Sequence, residues 1–156
     1  MVLCLNESIL IVDDDPSVRK TLSSILCLEG YVVETMDNGK QALKAVEKER
    51  FDVALIDVQL PDMKGVDLLS KLKLLQPRMV RIIITGFPSM DNAIKAVNEG
   101  ADGYVLKPFD PERLLETIRK HLDEKNAEKI QMWIEMEKSQ RFSKQFKKPK
   151  GSIFTS

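Results

Sequence analysis

Five short, largely apolar segments, about 20 to 27 residues apart, constrain the fold more than any other feature of this sequence. They lie at residues 9–12, 31–35, 53–56, 80–84 and 103–106. Each has the length of a β-strand, and continuous apolar runs are typical of strands that are buried on both faces of a parallel sheet. The intervals leave room for one helix and two short loops each. The pattern predicts an α/β fold.

Helix-start and helix-stop residues occupy these intervals. Pro16 suits a first helical turn, and Asp110 followed by Pro111 suits an N-cap and a first position. Gly30 and Gly100 suit the positions just past helix ends. One helix after every strand gives a (βα)5 order, which predicts an open, doubly wound parallel sheet of five strands.

The fourth interval predicts a helix that is capped by Ser89 or Asp91. Its apolar residues Ala93, Ile94 and Val97 recur at helical spacing. We therefore expect these three side chains to face the sheet.

The composition excludes several functional classes. Hydrophobic residues make up 43% and charged residues 31% of the chain, and no apolar run is long enough to span a membrane. The N-terminal residues lack a secretory signal, which favours a cytoplasmic location.

Cys4 and Cys27 show no CxxC spacing, and we expect reduced, buried thiols. His121 is the only histidine, which argues against a histidine metal site or a Ser/His/Asp triad.

Charged and polar residues follow four of the predicted strands. The first strand ends in Asp13, Asp14 and Asp15, and the third ends in Asp57. The fourth ends in Thr85 and Gly86, and the fifth in Lys107 and Pro108. In a doubly wound sheet, ligands bind at the carboxyl ends of the strands, where these side chains converge.

Carboxylates that lie so close together repel one another unless a cation or protons intervene. A hard divalent ion such as Mg²⁺ prefers such oxygen ligands and commonly shares a phosphate with them. Asp57 is the best candidate for a nucleophile toward phosphorus, with Lys107 and Thr85 as groups that receive the phosphoryl oxygens. The sequence thus predicts a Mg²⁺-dependent site for a phosphoryl group. Asp15, which precedes Pro16, is better interpreted as an N-cap.

Four segments together identify a resemblance to a known family. "ILIVDDDP", "DVALIDVQLPDMKGVDLL", "RIIITGF" and "GADGYVLKPFDPERLLETI" resemble, in order and spacing, the receiver domain of two-component response regulators over roughly residues 7–122. The resemblance implies a flavodoxin-like strand order of 2-1-3-4-5. It also implies a signalling module that takes a phosphoryl group from a histidine kinase phosphohistidine or a phosphotransfer protein.

By this resemblance, Asp57 is the phosphoacceptor, and Asp13 and Asp14 form the acidic pair, with Asp14 the more direct ligand of Mg²⁺. Gln59 adds its backbone carbonyl to the metal. These assignments imply that the chain catalyses only its own phosphorylation and dephosphorylation.

The resemblance also implies a switch. Thr85 hydrogen-bonds the phosphoryl oxygen, and Lys107 forms an ion pair with it. The Lys107–Pro108 peptide, which is usually cis in this family, holds Lys107 in place. Tyr104 swings inward when Thr85 moves. The face of the fourth helix, fifth strand and fifth helix then changes its downstream protein partner or forms a homodimer. Bulky Phe87 is expected to hinder water and slow dephosphorylation.

A different class, a Mg²⁺-dependent phosphohydrolase with an aspartyl-phosphate intermediate, is the alternative. Such an enzyme normally needs a second acid two residues after the nucleophile, where this chain has Gln59. A nucleotide-binding domain is disfavoured because aspartates, not a glycine-rich loop, follow the first strand.

The C-terminal part differs in charge. Residues 125–156 carry eight Lys or Arg against three Asp or Glu, whereas residues 1–124 carry a net charge of −5. We predict a receiver domain at 1–124, a helical extension at 125–140 and a basic, flexible tail at 141–156.

In the extension, either the fifth helix continues or a sixth helix follows a break near Asn126. Ile130, Trp133 and Ile134 form a stripe that is typical of a packed face, and no DNA-reading module fits in this part.

Overall fold

The computed structural model describes residues 6–86 and 89–146, and in them the predicted α/β architecture is confirmed. Five strands alternate with five helices. In chain order these are β1 Ser8–Val12, α1 Pro16–Leu28, β2 Val32–Met36, α2 Gly39–Lys48, β3 Val53–Asp57, α3 Gly65–Leu75, β4 Val80–Thr85, α4 Met90–Asn98, β5 Gly103–Leu106 and α5 Pro111–Phe146. Every predicted strand agrees with the observed one to within one residue at each end.

The five strands form one parallel sheet in the order β2-β1-β3-β4-β5. Alternate residues of each strand point to opposite faces, so the sheet divides the core into two layers. Ile9 and Leu55 lie in the layer with α1 and the first turns of α5, whereas Leu10 and Ile56 lie in the layer with α2, α3 and α4. All four side chains are at most 1% exposed. Burial on both faces explains why the inner strands β1 and β3 are apolar without alternation.

The helix ends follow the predicted capping residues. The side chain of Asp15 caps α1 by accepting a hydrogen bond from the N–H of Ser17 at 2.8 Å. Ser89 caps α4. Gly30 and Gly100 follow α1 and α4 with φ of +92° and +105°, in the left-handed region that glycine adopts at low cost. These turns return the chain to the sheet after each helix.

The predicted inner face of α4 is wrong for two of its three residues. Ile94 and Val97 are 53% and 65% exposed, whereas Ala96 is fully buried and Ala93 is half-buried. The helix turns its small residues toward the domain, which places Met90, Ile94 and Val97 at spacings of four and three on the outer face. The physical reason is that α4 carries two apolar stripes, and packing through the alanine stripe allows the helix to lie closer to the domain.

The prediction of buried thiols is also wrong for Cys27, a free and exposed cysteine near the end of α1. The inward residues of that helix are Leu22 and Leu26, and the residue after Leu26 is turned about 100° away from them. Its apolar neighbours in sequence are therefore not its neighbours in space. Cys4 lies outside the described residues.

The chain divides into two compact units, Met1–Leu122 and Asp123–Ser156. Helix α5 has no break at Asn126 and ends at Phe146, six residues beyond the predicted end of the extension. In the first unit its residues Leu114, Ile118 and Leu122 are buried. In the second unit the predicted stripe is exposed, and Trp133 has 67% of its surface accessible. No helix in residues 6–86 and 89–146 has the length and apolar content to cross a membrane.

Candidate functional site

Three carboxylates meet at the carboxyl ends of two neighbouring strands. Asp13 directly follows β1, and Asp57 is the last residue of β3. The strands pair with Val12 opposite Ile56, so the next residues, Asp13 and Asp57, also lie side by side. With Asp14, each offers a carboxylate oxygen, and these oxygens all lie within 4.8 Å of one another. The topology therefore produces the convergence that the sequence predicts.

Lys107 reaches this cluster from β5, which is two strands away from β3. Its backbone N–H donates to the carbonyl of Thr85 at 2.7 Å, which holds the start of the loop against β4. Its ammonium lies 2.8 Å from Asp13 Oδ2 and 3.4 Å from Asp57 Oδ2. The Lys107–Pro108 peptide is cis. One positive charge thus contacts two of the three carboxylates.

The two oxygens of Asp13 have separate partners. Oδ2 accepts from Lys107, and Oδ1 accepts from the backbone N–H of Asp15 at 2.9 Å. The Asp13 carbonyl also accepts from the guanidinium of Arg19 at 2.7 Å, and its backbone N–H donates to Met36. Asp13 is 2% exposed, whereas Asp14 is exposed. Asp13 is therefore held rigidly, and Asp14 faces the solvent.

Burial and charge shift the pKa values of Asp57 and Lys107 in directions that follow from this geometry. Burial raises the pKa of Asp57, and the negative charge of Asp13 raises it further, against the opposing effects of Lys107 and of the Gln59 N–H. For Lys107, burial lowers the pKa, but the hydrogen bond and charge of Asp13 together with Asp57 outweigh it, so the pKa is raised. Lys107 is therefore a protonated cation, and the ionised form of Asp57 destabilises the fold.

An open polar pocket of about 220 Å³ lies over the cluster. Its lining residues are Asp13, Asp14, Asp15, Asp57, Gln59, Gly86 and Lys107. Gln59 enters through the loop after β3, and its backbone N–H donates to Asp57 Oδ1 at 3.4 Å. Gly86 contributes only backbone to the wall. The pocket gives Asp57 access to a small anionic group.

Thr85 and Tyr104 lie on the strands next to the pocket but do not line it. Thr85 ends β4 and is fully buried. Tyr104 lies on β5 and packs against the core layer of α2, α3 and α4. Its buried hydroxyl has no hydrogen-bond partner among the described residues, and burial raises its pKa. Phe87 lies outside the described residues.

Comparison with known proteins identifies the family of this chain. The family model described as the response regulator receiver domain matches residues 9–119. The chain belongs to this family. A receiver domain is a phosphorylation-activated signalling switch rather than a classical enzyme, and the acidic pocket of Asp13, Asp14 and Asp57 suits a phosphorylation site.

Individual relatives cover the same part of this receiver. Sporulation initiation phosphotransferase F of Bacillus subtilis is 36% identical over 118 residues, which are 76% of this chain and 95% of that protein. Transcriptional regulatory protein ZraR of Escherichia coli K12 is 38% identical over 117 residues, which are 75% of this chain but 26% of that protein. The chain therefore spans nearly all of one relative and about a quarter of the other.

Solved structures give the same picture. The CheY-like receiver domain from Methanospirillum hungatei JF-1 is 43% identical, with a TM-score of 0.76 over 78% of this chain and 98% of that one. The beryllofluoride-activated NtrC4 receiver domain dimer is 39% identical, with a TM-score of 0.73 over 76% of this chain and 98% of that one. The receiver fold thus accounts for about three quarters of the chain.

Sequence reasoning missed two contributors to the site. Asp15, interpreted only as a helix cap, also lines the pocket and donates its N–H to Asp13. Arg19, one helical turn further on, holds the Asp13 carbonyl. The sequence offered a weak signal for Arg19, because a residue one turn into α1 lies close to the start of the helix.

Proposed function

We propose that Asp57 accepts a phosphoryl group from the phosphohistidine of a sensor histidine kinase or of a phosphotransfer protein. An Asp57 carboxylate oxygen attacks phosphorus, the N–P bond of the donor breaks, and the freed imidazole nitrogen keeps the electron pair. The observation that carries the proposal is the Asp57 carboxylate in an open pocket, 3.4 Å from the ammonium of Lys107. Transfer of this kind depends mainly on positioning and charge neutralisation.

The donor set of the site fits Mg²⁺. The carboxylates of Asp13, Asp14 and Asp57 and the backbone carbonyl of Gln59 are hard oxygen ligands of the type that this ion prefers. Among the described residues, Lys107 opposes three negative charges with one positive charge, so a further cation balances the cluster. A bound Mg²⁺ would neutralise charge on the phosphoryl oxygens. We propose these four residues as its ligands.

Thr85 and Lys107 are proposed to bind the phosphoryl oxygens, and Tyr104 to respond to the movement of Thr85. The support is that Thr85 and Lys107 are joined by a backbone hydrogen bond at the end of the sheet. The unpaired hydroxyl of Tyr104 also supports the proposal, because a buried polar group without a partner costs free energy and favours a second position. The role of Phe87 in slowing dephosphorylation stays a prediction.

The output surface is proposed to be the face of α4, β5 and the first part of α5. Met90, Ile94, Val97 and Leu106 expose 48% to 76% of their surface there. Contiguous exposed apolar side chains are typical of protein interaction sites. Phosphorylation would change the affinity of this face for a downstream protein or for a second copy of the chain. The division into 1–124, 125–140 and 141–156 and the cytoplasmic location also stay proposals.

Incubation with Mg²⁺ and a small phosphodonor such as acetyl phosphate tests the proposal by intact mass. We expect one added phosphoryl group per chain, which is lost in Asp57→Asn and retained in Asp67→Asn, a control at an exposed acid of α3. Addition to Asp57→Asn at the wild-type level would exclude Asp57 as the acceptor. Release of many phosphates per chain from simple phosphate esters would favour the phosphohydrolase.

A further inference from the structure

The loop that joins β3 to α3 contacts a second helix at its tip. Oδ1 of Asp62 accepts a hydrogen bond from the N–H of Gly39, and Oδ2 accepts from the N–H of Lys40, each at 2.9 Å. These are the first two residues of α2, whose N–H groups have no partner within the helix. The N-cap Asn38 accepts from the N–H of Gln41, also at 2.9 Å. The loop thus supplies two of the three side-chain hydrogen bonds that cap the N-terminus of α2.

The tip has a second contact with α2. The side chain of Met63 lies over Gly39 so closely that a Cβ at Gly39 would overlap its sulfur. The two contacts differ in their chemistry. The carboxylate of Asp62 provides charge-assisted hydrogen bonds to a helix N-terminus, and Met63 provides packing. The directional part of the attachment therefore depends on Asp62.

The base of the same loop is closed against the end of β3. The N–H of Gly65 donates to the carbonyl of Val58 at 2.7 Å, and Gln59 pairs with Lys64 in an isolated antiparallel bridge. A Cβ at Gly65 would overlap the carbonyl oxygen of Asp57. Gln59 is therefore held between a fixed base and a tip that is attached to α2.

We propose that Asp62 is a positioning residue of the phosphorylation site, which holds the backbone of Gln59 in place by attaching the loop to α2. The inference rests on the proposed function, in which the Gln59 carbonyl is a ligand of Mg²⁺. Asp62 lies three residues after Gln59, whose N–H already contacts Asp57. The loop that carries a metal ligand is thereby coupled to the N-terminus of a helix that lines no part of the pocket.

Titration of the metal-free chain with Mg²⁺ in a calorimeter tests the inference. We expect Asp62→Ala to weaken Mg²⁺ binding about tenfold, the low end of the cost of removing an outer-shell partner. Asn38→Ala is the matched control, because it also removes a cap of α2 but does not touch the loop. It should lower the melting temperature and leave the Mg²⁺ affinity unchanged. Asp62→Asn keeps one oxygen acceptor, so we expect an intermediate affinity.

Three outcomes contradict the inference. Wild-type affinity in Asp62→Ala would show that the loop needs no attachment. Equal losses of affinity in Asp62→Ala and Asn38→Ala would show that Asp62 acts only through the stability of α2. If Asp62→Ala does not fold, Asp62→Asn tests the inference in its place. A wild-type Mg²⁺ affinity in Asp62→Asn would then refute the inference. Absence of Mg²⁺ binding by the wild-type chain would instead remove the proposed function, and the inference with it.

Discussion

Replacement of Asp57 by asparagine should stabilise the metal-free protein at neutral pH. The carboxylate of Asp57 lies within 4.8 Å of that of buried Asp13, which costs about 3.5 kcal/mol at an effective dielectric constant of about 20. Asp14 is exposed and adds about 1 kcal/mol of repulsion. The attraction between Asp57 and the ammonium of Lys107 at 3.4 Å offsets this repulsion by about 5 kcal/mol. The charge interactions nearly cancel, so the burial of Asp57 decides the sign.

The raised pKa of Asp57 gives the same sign, since burial, its largest cause, disfavours the charged form. Asparagine has the same shape without the charge, and we expect a gain of about 1 kcal/mol, or about 4 °C in melting temperature for a domain of this size. The effect depends on pH in a defined direction. A carboxylate whose pKa is raised above its ordinary 3.8 destabilises the fold only when ionised. The gain should therefore be absent well below pH 3.8, grow between pH 3.8 and the raised value, and stay constant above it.

Thermal unfolding followed by circular dichroism measures this effect, in EDTA at low salt, at pH 4 and pH 7.5. Asp67→Asn on the first turn of α3 serves as the control, and we expect no gain from it, because an acid there favours the helix. Addition of Mg²⁺ should reduce or reverse the advantage of Asp57→Asn, because the Asp57 carboxylate is a proposed ligand of the ion. A variant that is less stable than wild type at pH 7.5 in EDTA, or a gain that is equal at both pH values, would refute the reasoning.

Five further substitutions test the geometry of the domain. Gly65→Ala should cost about 1 to 3 kcal/mol, measured by urea unfolding, because its Cβ meets the backbone of β3, whereas Gly86→Ala meets only ordinary contacts and should be near neutral. Tyr104→Phe removes an unpaired buried hydroxyl and should raise the free energy of unfolding by about 1 kcal/mol; a loss of similar size would reveal a hydrogen bond. Ile94→Ala on the exposed face of α4 should change stability by less than about 0.5 kcal/mol, whereas buried Leu69→Ala should cost about 2 to 5 kcal/mol.

The strands and the acidic cluster could be predicted because both follow from one property of the sheet. The inner strands β1 and β3 are buried on both faces and apolar up to their ends, where the first charged residues are Asp13 and Asp57. Parallel strands put those ends on one edge. The contact of Lys107 with both acids then needed only a side chain long enough to cross the end of β4.

Interactions between residues far apart in sequence could not be predicted in the same way. Asp62 caps α2 from 22 and 23 residues away, and nothing in the local pattern distinguishes it from a solvated turn residue. The unpaired hydroxyl of Tyr104 likewise depends on how β5 packs rather than on its sequence. Such details require the positions of several elements at once, which periodicity does not provide.

The orientation of α4, which exposes two of the three residues predicted to face the sheet, carries information about function. Burial of Ile94 and Val97 would have been more favourable than burial of Ala93 and Ala96, by about 0.8 kcal/mol for each additional methylene group. The fold nevertheless buries Ala96, half-buries Ala93 and exposes the larger side chains. A helix that packs through small residues buries less apolar surface against the domain and shifts at lower cost. An exposed apolar stripe on such a helix is suited to a surface whose partner changes with phosphorylation, and local rules are most often broken at functional surfaces.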